Sequence, residues 1–164
     1  MMRLSDVSKR LDKIEVNLSN IQNSSKQSVT INDDGNIVLH SLVGDADKVY
    51  SPSATAKKLH SSRSIVRLVI GAYGSGKSTM CCAEIIRLAC AMPKCLDGIR
   101  RCRVICVRNT YSDLKLTTLE IWNEWTRDRL PCIVSHDKPL ERVYRFNDGA
   151  GQVELHLIFL ALEN

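Results

Sequence analysis

The sequence predicts an α/β fold with a parallel sheet, crossover helices and an appended β-hairpin, preceded by a short amphipathic helix. The β-branched apolar run Ile65–Ile70 is typical of a buried parallel strand. Gly71–Ser78 follows at once and matches the pattern G-x-x-x-x-G-K-[ST] at every fixed position. A helix-type stretch, Lys77–Met92, then ends before Pro93. Strand, glycine loop and helix in this order are the context that the pattern requires.

The loop Gly71–Ser78 is suited to hold nucleotide phosphates, so the sheet is predicted to be of the P-loop NTPase type. Its glycines permit backbone angles and a close approach that a Cβ would prevent. The loop N–H groups and the helix start would point at the phosphates. Lys77 is expected to reach the β- and γ-phosphates, Ser78 to complete a Mg²⁺ shell and Thr79 to touch the α-phosphate. ATP and Mg²⁺ are the expected cofactors, and the predicted binding residues are Gly71, Ala72, Tyr73, Gly74, Ser75, Gly76, Lys77, Ser78 and Thr79.

The chain ahead of this loop predicts a separate N-terminal segment, residues 1–49. Its first part carries one apolar seam on a helix of about three heptads, formed by Leu4, Val7, Leu11, Ile14, Leu18 and Ile21. A helix this short is marginal alone, so it docks on the body or pairs with a second copy. Ser28–Leu42 predicts a hairpin around the turn Asn32–Gly35, and Val43–Ser53 reads as a linker.

The chain beyond the P-loop helix predicts one more strand, one more helix and a hairpin. Cys102–Arg108 reads as the second strand, and Ser112 is expected to cap a helix running to about Arg127. One face of that helix carries Leu114, Thr118, Ile121, Trp122 and Trp125. Both tryptophans follow the buried stripe and are expected in the core. Arg142–Phe146 and Val153–Leu162 flank a glycine-containing turn and predict a β-hairpin.

Composition places the chain among ordinary globular proteins. It has 164 residues, with 44% hydrophobic and 25% charged residues. Its longest apolar run, Leu157–Leu162, is far shorter than the ~20 residues that a membrane span needs. No signal peptide is visible. Seven cysteines without a C-x-x-C pair argue against zinc and fit reduced thiols, so a soluble intracellular protein without a membrane partner is expected.

The positive charge of the chain is confined to its second part. Residues 1–50 hold 6 Lys and Arg against 7 Asp and Glu, whereas residues 51–164 hold 17 against 11. The surplus of +6 after residue 50 permits a phosphate-bearing or nucleic-acid partner.

From about Tyr50 to Asn164 the chain resembles the start of the ATPase domain of tailed-phage terminase large subunits, the motors that package DNA. Four pieces carry the resemblance: Ser51-Pro52 with Leu59-His60, Gly71–Ser78, Asp97–Arg101, and Val107–Tyr111 through Leu114-Lys115 to Trp122. The P-loop alone occurs in many protein families, whereas the last of these four pieces is specific to far fewer. Residues 50–164 are therefore interpreted as an incomplete P-loop ATPase domain.

The resemblance implies a viral genome-packaging ATPase that couples ATP hydrolysis to DNA translocation into the procapsid. Such subunits act as a ring on the portal, helped by a small terminase subunit, and carry a C-terminal metal-dependent nuclease. Double-stranded DNA, the portal, the small subunit and further copies are the implied partners, in the host cytoplasm. Lys77 carries over as a catalytic residue. Arg108 matches an arginine at the end of the family's second strand, where it would sense phosphate, contact DNA or form a structural ion pair.

The chain also departs from the family. A working ATPase needs an acidic strand end to hold Mg²⁺ and position water, and Glu163 is the one candidate. In the family, the matching segment precedes the acidic strand by some tens of residues. The nuclease is absent, so a fragment, a split gene product or a truncated prophage copy is expected, with negligible hydrolysis. The alternatives are a nucleotide or small-molecule kinase and a non-catalytic nucleotide-binding interaction module.

Overall fold

The computed structural model describes residues 28–44 and 46–163. The helix predicted over residues 4–21 lies outside this part of the chain. The described residues form an α/β structure with a four-stranded mixed sheet and a three-stranded antiparallel sheet. None of their helices is long and apolar enough to cross a lipid bilayer.

The small sheet contains the predicted N-terminal hairpin. Its strands are β1 (Val29–Ile31), β2 (Ile37–Leu39) and β3 (Lys48–Tyr50), each antiparallel to the next. The hairpin of β1 and β2 is confirmed, but the prediction of a linker was wrong at β3. Packing stabilises that strand, because Tyr50 is buried and contacts the rings of His60 and Trp125 edge-on.

The large sheet has the order β4-β7-β6-β5. Its strands are β4 (Arg100–Arg108), β5 (Cys132–Asp137), β6 (Leu140–Asn147) and β7 (Gln152–Ala161). β4 runs parallel to β7, whereas β7, β6 and β5 form an antiparallel meander. The second strand and the C-terminal hairpin were predicted, and β5 was not.

The described residues also form five helical segments. They are α1 (Ala54–Ser61), α2 (Lys77–Ala91), α3 (Tyr111–Asp113), a π-helix (Leu114–Leu119) and α4 (Glu120–Thr126). The core between them and the sheet includes Ile86, Ala89, Trp122, Leu155 and Leu157, each at most 2% exposed. Trp122 Nε1 also donates to the hydroxyl of Tyr144 at 2.9 Å, which satisfies its buried polar atom.

The strand predicted over Ile65–Ile70 is not formed. Ile65, Val66, Leu68 and Ile70 are all more than 80% exposed, and no described strand pairs with this segment. A strand exists only with a neighbour to accept its backbone hydrogen bonds, and an apolar run alone does not supply one. The parallel pair is therefore β4 with β7, and the predicted parallel sheet built on Ile65–Ile70 with crossover helices is not observed.

The helix predicted from Ser112 to Arg127 is formed in three consecutive pieces. Its cap is Thr110, whose Oγ1 accepts from Asp113 N at 3.1 Å, and not Ser112. The middle piece is the π-helix, where the Thr117 hydroxyl donates to the Asp113 carbonyl at 2.5 Å. Such local bonding by Thr competes with regular helical geometry, and helical periodicity in the sequence cannot reveal it.

Candidate nucleotide-binding site

The loop at residues 71–76 leads into the start of α2 as predicted, but it follows the exposed segment 65–70 and not the predicted strand. Gly74 and Gly76 both have left-handed backbone angles, with φ of +74° and +76°. L-residues with a side chain adopt these angles at an energetic penalty. Glycine at both positions therefore lets the chain turn sharply into the helix.

Gly71 lies against side chains of its own loop. A Cβ built at Gly71 would lie 2.9 Å from Ser75 Oγ and 3.7 Å from Lys77 Cδ. The first distance is shorter than a normal contact, so a side chain at position 71 would force the Ser75 hydroxyl to move.

The first turn of α2 is open to an anion. Gly76 caps the helix without a side-chain hydrogen bond, and the first turn contains no acidic residue. Met80 N donates to Gly76 O at 2.9 Å, whereas the N–H groups of Lys77, Ser78 and Thr79 find no acceptor among the described residues. Unpaired N–H groups at a helix start, with the positive end of the helix dipole, favour a negatively charged group.

The Lys77 ammonium lies over its own loop. Nζ donates to the carbonyls of Gly71 at 2.8 Å and Ala72 at 2.5 Å, and to Ser75 Oγ at 3.2 Å. These neutral acceptors leave its positive charge without a carboxylate partner in the described residues. Tyr73, at the tip of the loop, is fully exposed. The loop and the helix start thus contain the donor types predicted for a phosphate ligand, one cation and three N–H groups without a described acceptor.

A cavity of about 420 Å³ opens beside Lys77 and Ser78. The carboxyl end of β4 and the π-helix also line it, and Arg108 and Thr118 contribute polar groups there. The remaining lining residues are Val69, Cys81, Cys82, Ile85, Cys106, Val107, Ile121, Trp122 and Phe159. The carboxyl ends of parallel strands are where open α/β sheets bind their ligands. No acidic side chain lines this cavity in the described part of the chain.

Arg108 forms no ion pair with any described residue. Its Nε donates to Thr118 Oγ1 at 3.0 Å. Of the three roles left open by the sequence, the structural ion pair therefore has no described partner.

Glu163 follows β7 at the same edge of the sheet. Its backbone N donates to Asn109 O at 2.9 Å, which extends the pairing beyond β4. The side chain is exposed and does not line the cavity beside Ser78. Within residues 28–44 and 46–163, no group of three His, Cys, Asp or Glu side chains is arranged to hold a metal ion.

A buried network around Glu84 was not predicted as a whole. The Glu84 carboxylate accepts from His60 Nδ1 at 2.6 Å, Arg67 Nη1 at 2.5 Å and Arg87 Nε at 2.8 Å. Burial raises the pKa of Glu84, but the hydrogen bonds from Arg87, Arg67 and His60 outweigh it and lower the pKa to about 2. The Glu84–Arg87 pair follows from i,i+3 spacing, whereas the contacts with His60 and Arg67 are tertiary. Through Arg67, the network fixes the segment preceding the glycine loop onto α2.

Comparison of the chain with protein-family models, curated proteins and solved structures found no match. The geometry of the chain itself defines the candidate site: an α/β protein with a glycine loop, an uncapped helix start and a lysine beside one cavity.

Proposed function

We propose that this chain is the ATP-binding portion of a viral DNA-packaging terminase large subunit, which couples ATP hydrolysis to DNA translocation into a procapsid. The observation that carries the proposal is the geometry of Gly71–Ser78. This segment contains two left-handed glycines, a Gly71 whose added Cβ would meet Ser75 Oγ at 2.9 Å, and the Lys77 ammonium, and three N–H groups without a described acceptor follow at the helix start. The narrower motif from Arg108 to Trp122 directs the proposal to this family rather than to P-loop proteins in general.

The residues of the loop have distinct tasks in this proposal. The N–H groups of Lys77, Ser78 and Thr79 hold phosphate oxygens, and the Lys77 ammonium turns from the Gly71 carbonyl towards the β- and γ-phosphates. The Ser78 hydroxyl is a ligand for Mg²⁺, a cation that prefers oxygen donors. Bound ATP with Mg²⁺ supplies the phosphoanhydride bond whose hydrolysis drives translocation.

Two unpaired elements beside the cavity support an incomplete ATPase domain. The segment 65–70 exposes apolar side chains, and β4 is an edge strand of the described sheet, paired with β7 along its length and with Lys94 through a single bridge at Arg100. Val69 and Val107 both line the cavity. An added strand there would satisfy both backbones, and in the resembled family an acidic strand end supplies the catalytic carboxylate.

The proposed partners rest on the positive charge of the chain after residue 50 and on the family resemblance. The +6 balance after residue 50 favours a duplex DNA phosphate backbone as a partner that is bound without sequence preference. The portal, the small terminase subunit, further copies of the chain and a location in the host cytoplasm rest on the resemblance alone.

One observation favours a second candidate, a non-catalytic nucleotide-binding module. The cavity beside Lys77 and Ser78 is lined by no described carboxylate. The group that would position the attacking water in an ATPase is therefore not found among its described lining residues. Such a module would bind ATP without turnover and would recruit a protein partner rather than DNA.

Two binding measurements on the full chain separate these candidates. Calorimetry with ATP and Mg²⁺ tests the nucleotide site, and anisotropy of a labelled DNA duplex at two salt concentrations tests the DNA partner. Binding of both ligands, with DNA affinity falling steeply as salt rises, supports the motor. Binding of ATP alone supports the module, and binding of neither contradicts both.

A further inference from the structure

The large sheet is packed on one face and open on the other. On β4 and β7 every second residue belongs to the hydrophobic core or packs against it, as Cys106, Leu157 and Phe159 do. The residues between them lie on the opposite face, because successive side chains of a strand alternate between the two faces of a sheet. On that face Ile105 is 55% exposed and Leu160 is 43% exposed. The described elements therefore leave this part of the sheet uncovered.

The open face has a charged half and an apolar half. In the charged half, Arg101 and Arg145 both pair with Glu154, at 3.4 Å and 2.5 Å. The other half is an apolar patch of four side chains that are paired two by two across β4 and β7, namely Ile105 with Ile158 and Val107 with Leu160. The charged half thus provides its own partners, whereas the apolar patch is stabilised only when another apolar surface covers it.

The N-terminal end of the described chain is bound to this same sheet. Ser28 N donates to Asn147 O at 2.8 Å, and Asn147 pairs with Gln152 at the start of β7. Residues 1–27 therefore join the sheet at the end that carries the charged half of the open face. Leu160 lies eight residues further along β7, which corresponds to about 26 Å.

The chain preceding Ser28 contains an apolar seam that needs a surface to cover it. Its apolar residues recur at steps of three and four from Leu4 to Ile21. As an α-helix, residues 4–21 would be about 27 Å long, which matches the distance from Gln152 to Leu160. Residues 22–27 would span at most about 20 Å, enough to connect such a helix to Ser28.

We infer that residues 4–21 form an amphipathic helix that lies on the open face of the large sheet and covers the apolar patch of the same chain. A helix packed on a sheet is one of the standard layer arrangements, and a helix of this length is marginal without such packing. The short connection to Ser28 gives the segment an effective concentration on the order of millimolar at the sheet, which favours its own chain over a second copy. This docking is independent of nucleotide binding by the glycine loop.

Urea unfolding of the full chain, followed by circular dichroism, tests the docking with one substitution on each surface. Leu11→Gln on the seam and Ile105→Gln on the patch are each expected to lower the urea midpoint by about 0.5–1 M. The double variant should lose less than the sum of the two, because both substitutions remove the same contact. Neither residue belongs to the described core, so the described fold should persist in all three variants.

Each substitution has a matched control. Val16→Gln alters the same N-terminal segment but lies off the seam. Val49→Gln alters an exposed strand residue of the small sheet, away from the apolar patch. Both controls should keep the urea midpoint of the unaltered chain. A loss in a control as large as that in its partner variant would overturn the docking, since the effect would not depend on the seam or the patch.

The remaining outcomes identify what the seam and the patch contact. A loss in only one of Leu11→Gln and Ile105→Gln, additive losses in the double variant, or no loss in either overturns the docking. Sedimentation velocity on the same samples adds a second readout. An oligomer that Leu11→Gln dissociates and Ile105→Gln leaves intact would show that the seam pairs with a second copy, and it would also overturn the docking.

Discussion

Arg67, in the segment ahead of the glycine loop, donates to the buried carboxylate of Glu84 on α2 at 2.5 Å. A second bond runs from Arg67 Nη1 to the Leu59 carbonyl at 3.1 Å. The segment 65–70 is thus tied to α1 and α2 by one side chain, without any strand pairing. This tether determines where the chain enters the glycine loop.

Replacing Glu84 should destabilise the fold strongly. Glu84→Ala leaves His60, Arg67 and Arg87 without their shared anion, and Glu84 itself has a side chain that is only 9% exposed. Breaking a buried pair on one side typically costs about 3–5 kcal/mol, and the partial exposure of the arginines places the expected loss at about 2–4 kcal/mol. Urea unfolding followed by circular dichroism measures the change.

Glu124→Ala is the matched control for that experiment. Glu124 pairs with Lys48 at 2.8 Å, but its side chain is 65% exposed. Exposed pairs contribute at most about 1 kcal/mol. Equal losses for the two variants would mean that the Glu84 network does not stabilise the fold.

The Glu84 network also predicts a pH dependence. The pKa of Glu84 falls from an ordinary value of 4.5 to about 2 in the folded chain. A depressed folded pKa gives stability that is fully present above the unfolded pKa and is lost as pH falls through the folded pKa. The free energy of unfolding should therefore decline between about pH 5 and pH 2. The decline should be shallower in Glu84→Gln, and identical slopes for the two chains would contradict the assignment.

Glycine at position 71 should be required for nucleotide binding because of one neighbour. Gly71→Ala places a Cβ 2.9 Å from Ser75 Oγ, so the Ser75 hydroxyl must leave its position beside Lys77 Nζ. We expect Gly71→Ala to weaken ATP–Mg²⁺ binding, measured by calorimetry, and the double variant with Ser75→Ala to recover part of the loss. Ser75→Ala alone is the control. If the double variant binds no better than Gly71→Ala, the contact with Ser75 is not the cause.

Hydrolysis by the chain should be negligible. The Glu163 side chain is exposed and does not line the cavity beside Ser78, whereas catalysis requires a fixed carboxylate near the attacking water. Loss of the water-positioning group typically lowers the rate by several orders of magnitude. A phosphate-release assay with and without DNA, on the unaltered chain and on Glu163→Gln, checks this. Robust turnover that Glu163→Gln eliminates would make Glu163 the catalytic carboxylate.

Local sequence signals predicted the elements that depend on local chemistry. Helix α2 begins after Gly76 and ends before Pro93, and glycine and proline commonly mark the ends of helices. The hairpin of β6 and β7 follows from a glycine-containing turn between apolar, strand-forming segments. The glycine loop itself was predicted residue by residue because its pattern is contiguous.

Features that depend on distant neighbours could not be predicted in this way. The run Ile65–Ile70 has strand composition but lacks a partner strand among the described residues, and no local pattern reveals that. The contact between Arg67 and Glu84 joins residues 17 positions apart. The bond between Arg108 and Thr118 depends on a π-helical register that helical periodicity does not encode.

Calorimetric titration of ATP with Mg²⁺ into the unaltered chain and into Lys77→Ala tests the central claim most directly. Lys77 Nζ bonds only to its own loop and has no role in the core, so the variant should keep the thermal unfolding midpoint of the unaltered chain. Lys94→Ala, an exposed lysine beyond the far end of α2, is the charge-matched control. The account predicts binding by the unaltered chain and by Lys94→Ala, with a loss of more than about tenfold in Lys77→Ala. Equal ATP affinity for Lys77→Ala and the unaltered chain would contradict the assignment of Gly71–Ser78 as a nucleotide-binding loop.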